Sequence, residues 1–273
     1  MTISFACAVS HAPGITAWPD AATAVQRNSI YAGFERLQGE LAAAEPEALI
    51  VFTSEHWTNY FLDHISAFCI GKAAQYSGPT EPWLKIARGT VQGAPDLAAQ
   101  LIDFCYAQDI DPAFASEMNF DHGTWLPLHF LTPRMNLPVI PIMINTLAAP
   151  QPSARRCFSL GRVVGDFARA SKKRIGLIAT GGMSHDPGEK RHGWIDRAFD
   201  QRFLGEMRDA KLDTLTAYRS EDLAAEGAGA FELLAWVALA GALQRYRAEV
   251  IAYEAVEPWA TGIGLMSFAP HAP

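Results

Sequence analysis

Seven short apolar runs punctuate this chain, at residues 3–9, 48–53, 65–70, 139–144, 175–180, 250–253 and 263–268. Helical patterns lie between them, over 21–44, 94–108, 154–170, 196–209 and 224–247. A run that is apolar at nearly every position, without in–out alternation, makes a strand buried on both faces, and such strands need helices to cover them. The pattern predicts an α/β fold with a largely parallel or mixed central sheet flanked by helices. No repeat, low-complexity stretch or Ser/Gly/Pro linker divides the chain, so residues 1–273 read as a single domain.

Apolar residues make up 49% of the chain and charged ones 19%, which supplies a sizeable core and argues against disorder. The net charge of −7 repels phosphate backbones, so no nucleic-acid partner is expected. No apolar run approaches the roughly 20 residues that span a bilayer, so no membrane association is expected either. The first nine residues lack a basic segment and a cleavage site and read as a strand rather than a signal peptide. The four cysteines, Cys7, Cys69, Cys105 and Cys157, form no Cys-x-x-Cys pair, which excludes a zinc knuckle or iron–sulfur cluster on spacing. Free cysteines and the absence of an export signal point to the cytoplasm.

Four of the eight histidines sit where a site would form. They are His11 in Ser10-His11-Ala12-Pro13-Gly14, His56 in Ser54-Glu55-His56, His122 in Asp121-His122-Gly123 and His185 in Gly181-Gly182-Met183-Ser184-His185. Sites of open α/β sheets form at the C-terminal ends of strands, and His11, His56 and His185 each follow such an end by a few residues. His122 falls in a loop bounded by Asp and Gly. Neutral imidazole is both a common metal ligand and the natural acid/base at neutral pH. His11 and His56 are the candidate metal ligands, and a carboxylate would complete a two-His-one-carboxylate triad with open positions. Glu232 is the candidate, as the one acid in an apolar helical stretch after a Gly-rich entry. Buried without a partner, it would cost on the order of several kcal/mol; the alternative is an acid capping a helix N-terminus. His122 and His185 then suit proton transfer to and from a bound substrate. His64 and His129 read as packing residues, His192 as solvated or lining the mouth, and His271 as part of the tail.

Together the motifs resemble the class III extradiol ring-cleavage dioxygenases. The resemblance rests on His11-Ala-Pro, Glu55-His56, Asp121-His122-Gly with Leu126-Pro-Leu, Thr180-Gly-Gly-Met-Ser-His185 and Glu232-Leu-Leu-Ala-Trp236, in order along nearly the whole chain. The likeness is strongest to the catalytic β subunit of protocatechuate 4,5-dioxygenase, with 2,3-dihydroxyphenylpropionate dioxygenase more distant. It implies Fe(II) held by His11, His56 and Glu232, with His122 and His185 as acid/base residues. His185 would deprotonate the substrate, while His122 would stabilise oxygen or donate a proton; the two roles are interchangeable at this stage. The implied reaction inserts both atoms of O2 and opens the ring of a catechol, whether protocatechuate-like, gallate-like or otherwise substituted. The implied partner is a second copy in a homo-oligomer or a small helical α subunit.

The chain departs from the family pattern at Ser54-Glu55 before His56, at Trp259, and in the loop 186–192. Substrate groups other than the catechol would touch these places, so the ring substituent is left open. Two other readings compete. A zinc hydrolase on a similar core has no use for two additional histidines, and a non-catalytic relative would lack one of the five residues, all of which are present here.

Overall fold

The computed structural model describes residues 3–270. β1 (Ile3–Val9) leads through a helical turn, α1 (Gly14–Ala17), into the long α2 (Ala24–Ala44). β2 (Ala48–Thr53) and β3 (Phe68–Gly71) follow, then a two-stranded hairpin of β4 (Gln75–Gly78) and β5 (Gly89–Gln92). Next come α3 (Pro95–Tyr106), β6 (Ala113–Ala115), α4 (His122–Leu131), β7 (Val139–Ile144) and α5 (Ala154–Ala170). After β8 (Ile175–Thr180) lie α6 (Arg197–Arg208), α7 (Leu212–Ala217), α8 (Ser220–Ala225) and α9 (Leu233–Leu243). β9 (Tyr246–Val256) and β10 (Thr261–Pro270) close the described chain.

Eight strands form one sheet in the order β6-β3-β7-β2-β8-β1-β10-β9. Its centre, β7-β2-β8-β1, is parallel, whereas β10 and β9 on one side and β3 on the other run antiparallel to their inner neighbours. The sheet is therefore mixed, around a parallel core. Every residue of β2, β7 and β8 is buried, as their unbroken apolar runs require. α3, α5, α6, α7 and α9 supply the core on one face, and α2 and α4 supply it on the other. Val9 lies beside Thr180 and Phe52 beside Ala179, which levels the C-terminal ends of three adjacent strands.

Several elements differ from the sequence expectation. The run at 65–70 becomes strand only from Phe68, because a tight bridge between Phe61 and His64 delays it. The helical stretch at 224–247 is interrupted: α8 stops at Ala225, Gly227 adopts φ +107°, a 3-10 turn spans Ala228–Glu232, and α9 begins only at Leu233. The short run at 250–253 belongs to an eleven-residue strand. His122, read as a loop residue, is instead the first residue of α4 with Asp121 as its N-cap. That helix is apolar nearly all round and carries Pro127, so it shows no amphipathic period to read.

α6 buries Asp200, which accepts hydrogen bonds from the Ser184 N–H and the Tyr253 hydroxyl, both at 2.8 Å. Burial pushes its carboxyl up to about 6 from 3.8, although both donors oppose the shift. Between those two pH values the folded form holds the extra proton, so this group stabilises the fold below pH 4 and loses that contribution as pH rises through 6. The loss is about 3 kcal/mol. Asp200→Asn should remove that slope, measured as urea midpoints from pH 4 to pH 7; an unchanged slope would rule Asp200 out as its source.

Candidate metal centre

The levelled strand ends bring the sequence-derived residues together. His11 follows β1 by two residues, His56 follows β2 by three, and His185 follows β8 by five. Glu232 ends the 3-10 turn that feeds α9, and His122 opens α4. His11 Nε2 lies 2.9 Å from Glu232 Oε2, and His56 Nε2 lies 3.1 Å from Glu232 Oε1. His185 Nε2 is 3.7 Å from Glu232 Oε1. The His122 ring stacks on that of His56 at 4.0 Å and meets His11 edge-on at 5.6 Å. Ring nitrogens of His11, His56 and His122 all fall within 4.8 Å of one another.

In each imidazole the nitrogen turned away from the centre is anchored. His11 Nδ1 meets Thr180 Oγ1 at 3.1 Å, and the Thr180 hydroxyl in turn faces the Gly123 carbonyl at 2.8 Å. That chain places the proton on Nδ1 and the lone pair on Nε2. His56 Nδ1–H donates to Asp121 Oδ2 at 3.2 Å, and the same oxygen accepts the His56 backbone N–H. A carboxylate behind a ligating histidine is the usual way to orient the ring and raise its basicity. His185 Nδ1 lies 2.8 Å from the Met183 carbonyl, which can only accept, so Nε2 carries the lone pair of the neutral ring. His122 Nδ1 lies 2.6 Å from Glu81 Oε1.

Sequence neighbours are not the partners here. Asp121 serves His56 rather than His122, and Asp186 caps the Ala228 N–H and pairs with Arg191 rather than with His185. Glu55 folds its own loop, accepting the backbone N–H groups of Thr58, Asn59 and Tyr60. That loop turns at Trp57, whose φ is +58°.

The Gly-rich entry to Glu232 has a steric reason. A Cβ on Gly229 would lie 2.1 Å from His185 Nε2, and one on Gly227 would lie 2.1 Å from the His185 carbonyl oxygen. A side chain at 229 would evict the His185 ring, and one at 227 would clash with the His185 backbone from a positive φ that favours glycine.

Electrostatics favour a cation among these groups. Burial would raise the Glu232 carboxyl, yet His11 and His185 hold it well below the usual carboxylate range. Burial would lower His56, yet the Asp121 and Glu232 carboxylates hold it well above the usual imidazole range. For His185, burial again opposes the shift, and Glu232 with the Met183 carbonyl raises it. His122 is lowered, first by burial and then by charge on His56, with Glu81 pulling the other way. Asp121 is driven down to about 2 by His56 despite its burial.

The donor set fits a metal ion. His11 Nε2 is buried, with Glu232 Oε2 2.9 Å away as its nearest charged group. That nitrogen, His56 Nε2 and both Glu232 oxygens are gathered at one point. Two imidazole nitrogens and a carboxylate in such an arrangement suit a divalent transition metal with open positions.

His129 packs edge-on to Phe130 on α4, His64 sits in the Phe61 turn, and His192 Nδ1 accepts the Gly188 N–H, while His271 lies outside the described residues. Trp259 is buried against Gly14 and donates to the Trp18 carbonyl at 2.9 Å, so it supports the mouth from behind. The indoles that border the solvent side are Trp18 and Trp83, stacked at 5.6 Å, with Trp83 6.3 Å from the His122 ring. Sequence reasoning missed Glu81 and the role of Thr180. Thr180 belonged to a quoted motif, whereas Glu81 stands 41 residues before its partner in an irregular segment with no periodicity to mark it.

The family model described as the catalytic LigB subunit of aromatic ring-opening dioxygenase matches residues 5–264. A 2,3-dihydroxyphenylpropionate/2,3-dihydroxicinnamic acid 1,2-dioxygenase of Burkholderia vietnamiensis is 30% identical over 290 aligned positions, covering 87% of this chain and 90% of that protein. Its namesake from Xanthobacter autotrophicus is 30% identical over 321 positions, covering 99% and 100%. These relatives carry the dihydroxyphenylpropionate name rather than the protocatechuate one. Among solved structures, an uncharacterized protein from Escherichia coli K12 shares the fold, with a TM-score of 0.58 at 16% identity over 96% of this chain and 98% of that one. A family match over nearly the whole length, with relatives 30% identical end to end, places this chain among the LigB-type extradiol dioxygenases, enzymes that open aromatic rings.

Proposed function

We propose that the chain is one catalytic domain that binds a single Fe(II) through His11, His56 and Glu232 and cleaves a catechol with O2. The observation that carries this reading is the convergence of both Glu232 oxygens on His11 Nε2 and His56 Nε2, at 2.9 and 3.1 Å, with each ring anchored from behind. Glu232 is preferred over His122 as third ligand because it is anionic and buried, and no lysine or arginine pairs with it among the described residues. Bound there, Fe(II) would supply electrons for O2 and acidify a chelated catechol hydroxyl.

The chain's own residues supply the proton chemistry. His185 Nε2 is the base that takes a proton from a catechol hydroxyl, because the Met183 carbonyl keeps the ring's other proton on Nδ1. His122 stands across the centre, on the side bordered by Trp83, and its Nε2 returns a proton to an oxygen of the opening ring. The burial of His11, His122, His185 and Glu232 limits water at the reacting atoms.

For assembly we propose a homo-oligomer or a complex with a small helical α subunit. For location we propose the cytoplasm, supported by four buried, unpaired cysteines. No helix among the described residues is long and apolar enough to cross a membrane.

The test is anaerobic loading with Fe(II), then oxygen uptake with a panel of catechols and monophenols. The panel includes 2,3-dihydroxyphenyl acids, for which the relatives are named. Uptake and a yellow ring-fission product are expected with catechols only. Peroxide should inactivate the enzyme, and ascorbate with Fe(II) should restore it. Full activity with zinc in place of iron would overturn the reading.

A further inference from the structure

Of the four imidazoles at the centre, three have anchors whose purpose follows from the reading above. Thr180 and Asp121 orient ligands, and the Met183 carbonyl orients the base. The fourth anchor, Glu81, has no assigned part. Its Oε1 accepts both the backbone N–H of His122 at 3.1 Å and the ring Nδ1–H at 2.6 Å. Its other oxygen accepts the Thr80 hydroxyl at 3.2 Å. A short ring-to-carboxylate contact made together with a backbone contact to the same residue fixes both the rotation and the protonation pattern of the imidazole.

The local chain is built to deliver that carboxylate. Thr80 N–H donates to the Phe120 carbonyl at 3.0 Å, and Phe120 N–H donates to the Ser77 carbonyl at 2.8 Å, so residues 77–80 lie along the approach to α4. Arg88 donates to the Thr80 carbonyl. Pro82 holds Glu81 extended, at φ −84° and ψ +116°, and opens a 3-10 turn that buries Leu84 completely. The same turn carries Trp83 to the edge of the His122 ring.

We propose that Glu81 is a positioning residue for the reaction. It keeps a proton on His122 Nδ1 at all times, so that Nε2 is the one nitrogen of that ring that exchanges protons at the centre. The step it supports is a simple transfer: the proton leaves His122 Nε2 for a substrate oxygen, and the Nδ1–H bond to Glu81 stays intact. This rests on the acid/base reading of His122. Without Glu81 a neutral His122 is free to hold its proton on Nε2, which turns no lone pair toward the centre and leaves Nδ1, on the far side, to take up the next proton.

The test uses two variants, Glu81→Leu, which removes the acceptor, and Glu81→Gln, which keeps one oxygen in place. Nitrogen-15 histidine spectra of the metal-free protein report the tautomer directly, with the His122 signals assigned by their loss in His122→Phe. Wild type and Glu81→Gln should show the Nδ1–H form, and Glu81→Leu should lose it. In iron-loaded enzyme Glu81→Leu should lower kcat on the order of 10²-fold, with KM and iron content within about twofold, and Glu81→Gln should recover most of the loss. In a His122→Phe background Glu81→Leu should have less than a twofold further effect. An Nδ1–H signal that persists in Glu81→Leu would overturn the proposal. So would an equal loss of kcat in the His122→Phe background, or lost iron, since either makes Glu81 a structural residue. If wild type turned over no catechol while the tautomer still changed, the functional reading would fail, and with it the catalytic half of this proposal. An unchanged tautomer in an active enzyme fails the proposal alone.

Discussion

Glu232→Gln is expected to leave a folded protein stripped of most of its metal. The carboxylate is 5% exposed, its two oxygens face His11 and His56, and one of them also accepts the Gly182 N–H. Glutamine keeps the shape and one oxygen but removes the negative charge that offsets a divalent ion. It also turns an N–H2 group toward a nitrogen lone pair or the ion. Loss of an outer partner of a ligand costs roughly 10–100-fold in metal affinity, so loss of the anionic ligand itself should cost at least that. Metal content after anaerobic loading and desalting reads the outcome. A Glu232→Gln protein that stays fully loaded and active would remove Glu232 from the ligand set. The cluster of His11, His56 and His122 nitrogens within 4.8 Å names its replacement. His122→Phe is therefore the companion measurement, and it is expected to keep its iron.

His185→Phe should keep iron as well and lose turnover by about 10²- to 10⁴-fold, the usual worth of one positioned acid/base group. The ring's Nε2 stands 3.7 Å from Glu232, farther than either proposed ligand, and its Nδ1 is tied to a carbonyl that permits a single neutral tautomer. The ring lies between Gly182 and Gly229, a slot that phenylalanine enters with an aromatic ring but no basic nitrogen. Iron content and circular dichroism are measured beside kcat. Iron loss in a folded His185→Phe protein would make the residue a ligand, and wild-type turnover would make it part of the loop only.

The apolar runs at 48–53, 139–144 and 175–180 announced the buried centre of the sheet to the residue, because two-sided burial leaves no freedom in composition. The strand-end histidines followed from that, since a residue two to five positions past a buried strand stays near that strand's C-terminal end. Where the signal depended on period it failed. α4 is apolar all round and was hidden as a loop, and the stretch at 224–247 looked continuous because its break is made by Gly227 adopting a positive φ. Glu81 was invisible for another reason. Its role is set by a contact across 41 residues, made from an irregular segment whose own sequence contains nothing metal-like or catalytic. The acids beside His122 and His185 carried no usable signal either, for Asp121 and Asp186 each serve a residue other than the histidine next to them.

The Asp121 side chain bears on how such a centre can diverge. One of its oxygens grips His56 twice, and the other caps α4 through the Gly123 N–H, one residue past His122. A single carboxylate thus welds the His56 ring, a proposed metal ligand, to the helix that carries His122, the proposed acid/base residue. A substitution of Asp121 should therefore disturb the His56 ring and the first turn of α4 together. The rim indoles of Trp18 and Trp83 stack on each other and make no contact with that carboxylate among the described hydrogen bonds, so substitutions there should leave both the His56 ring and the start of α4 in place.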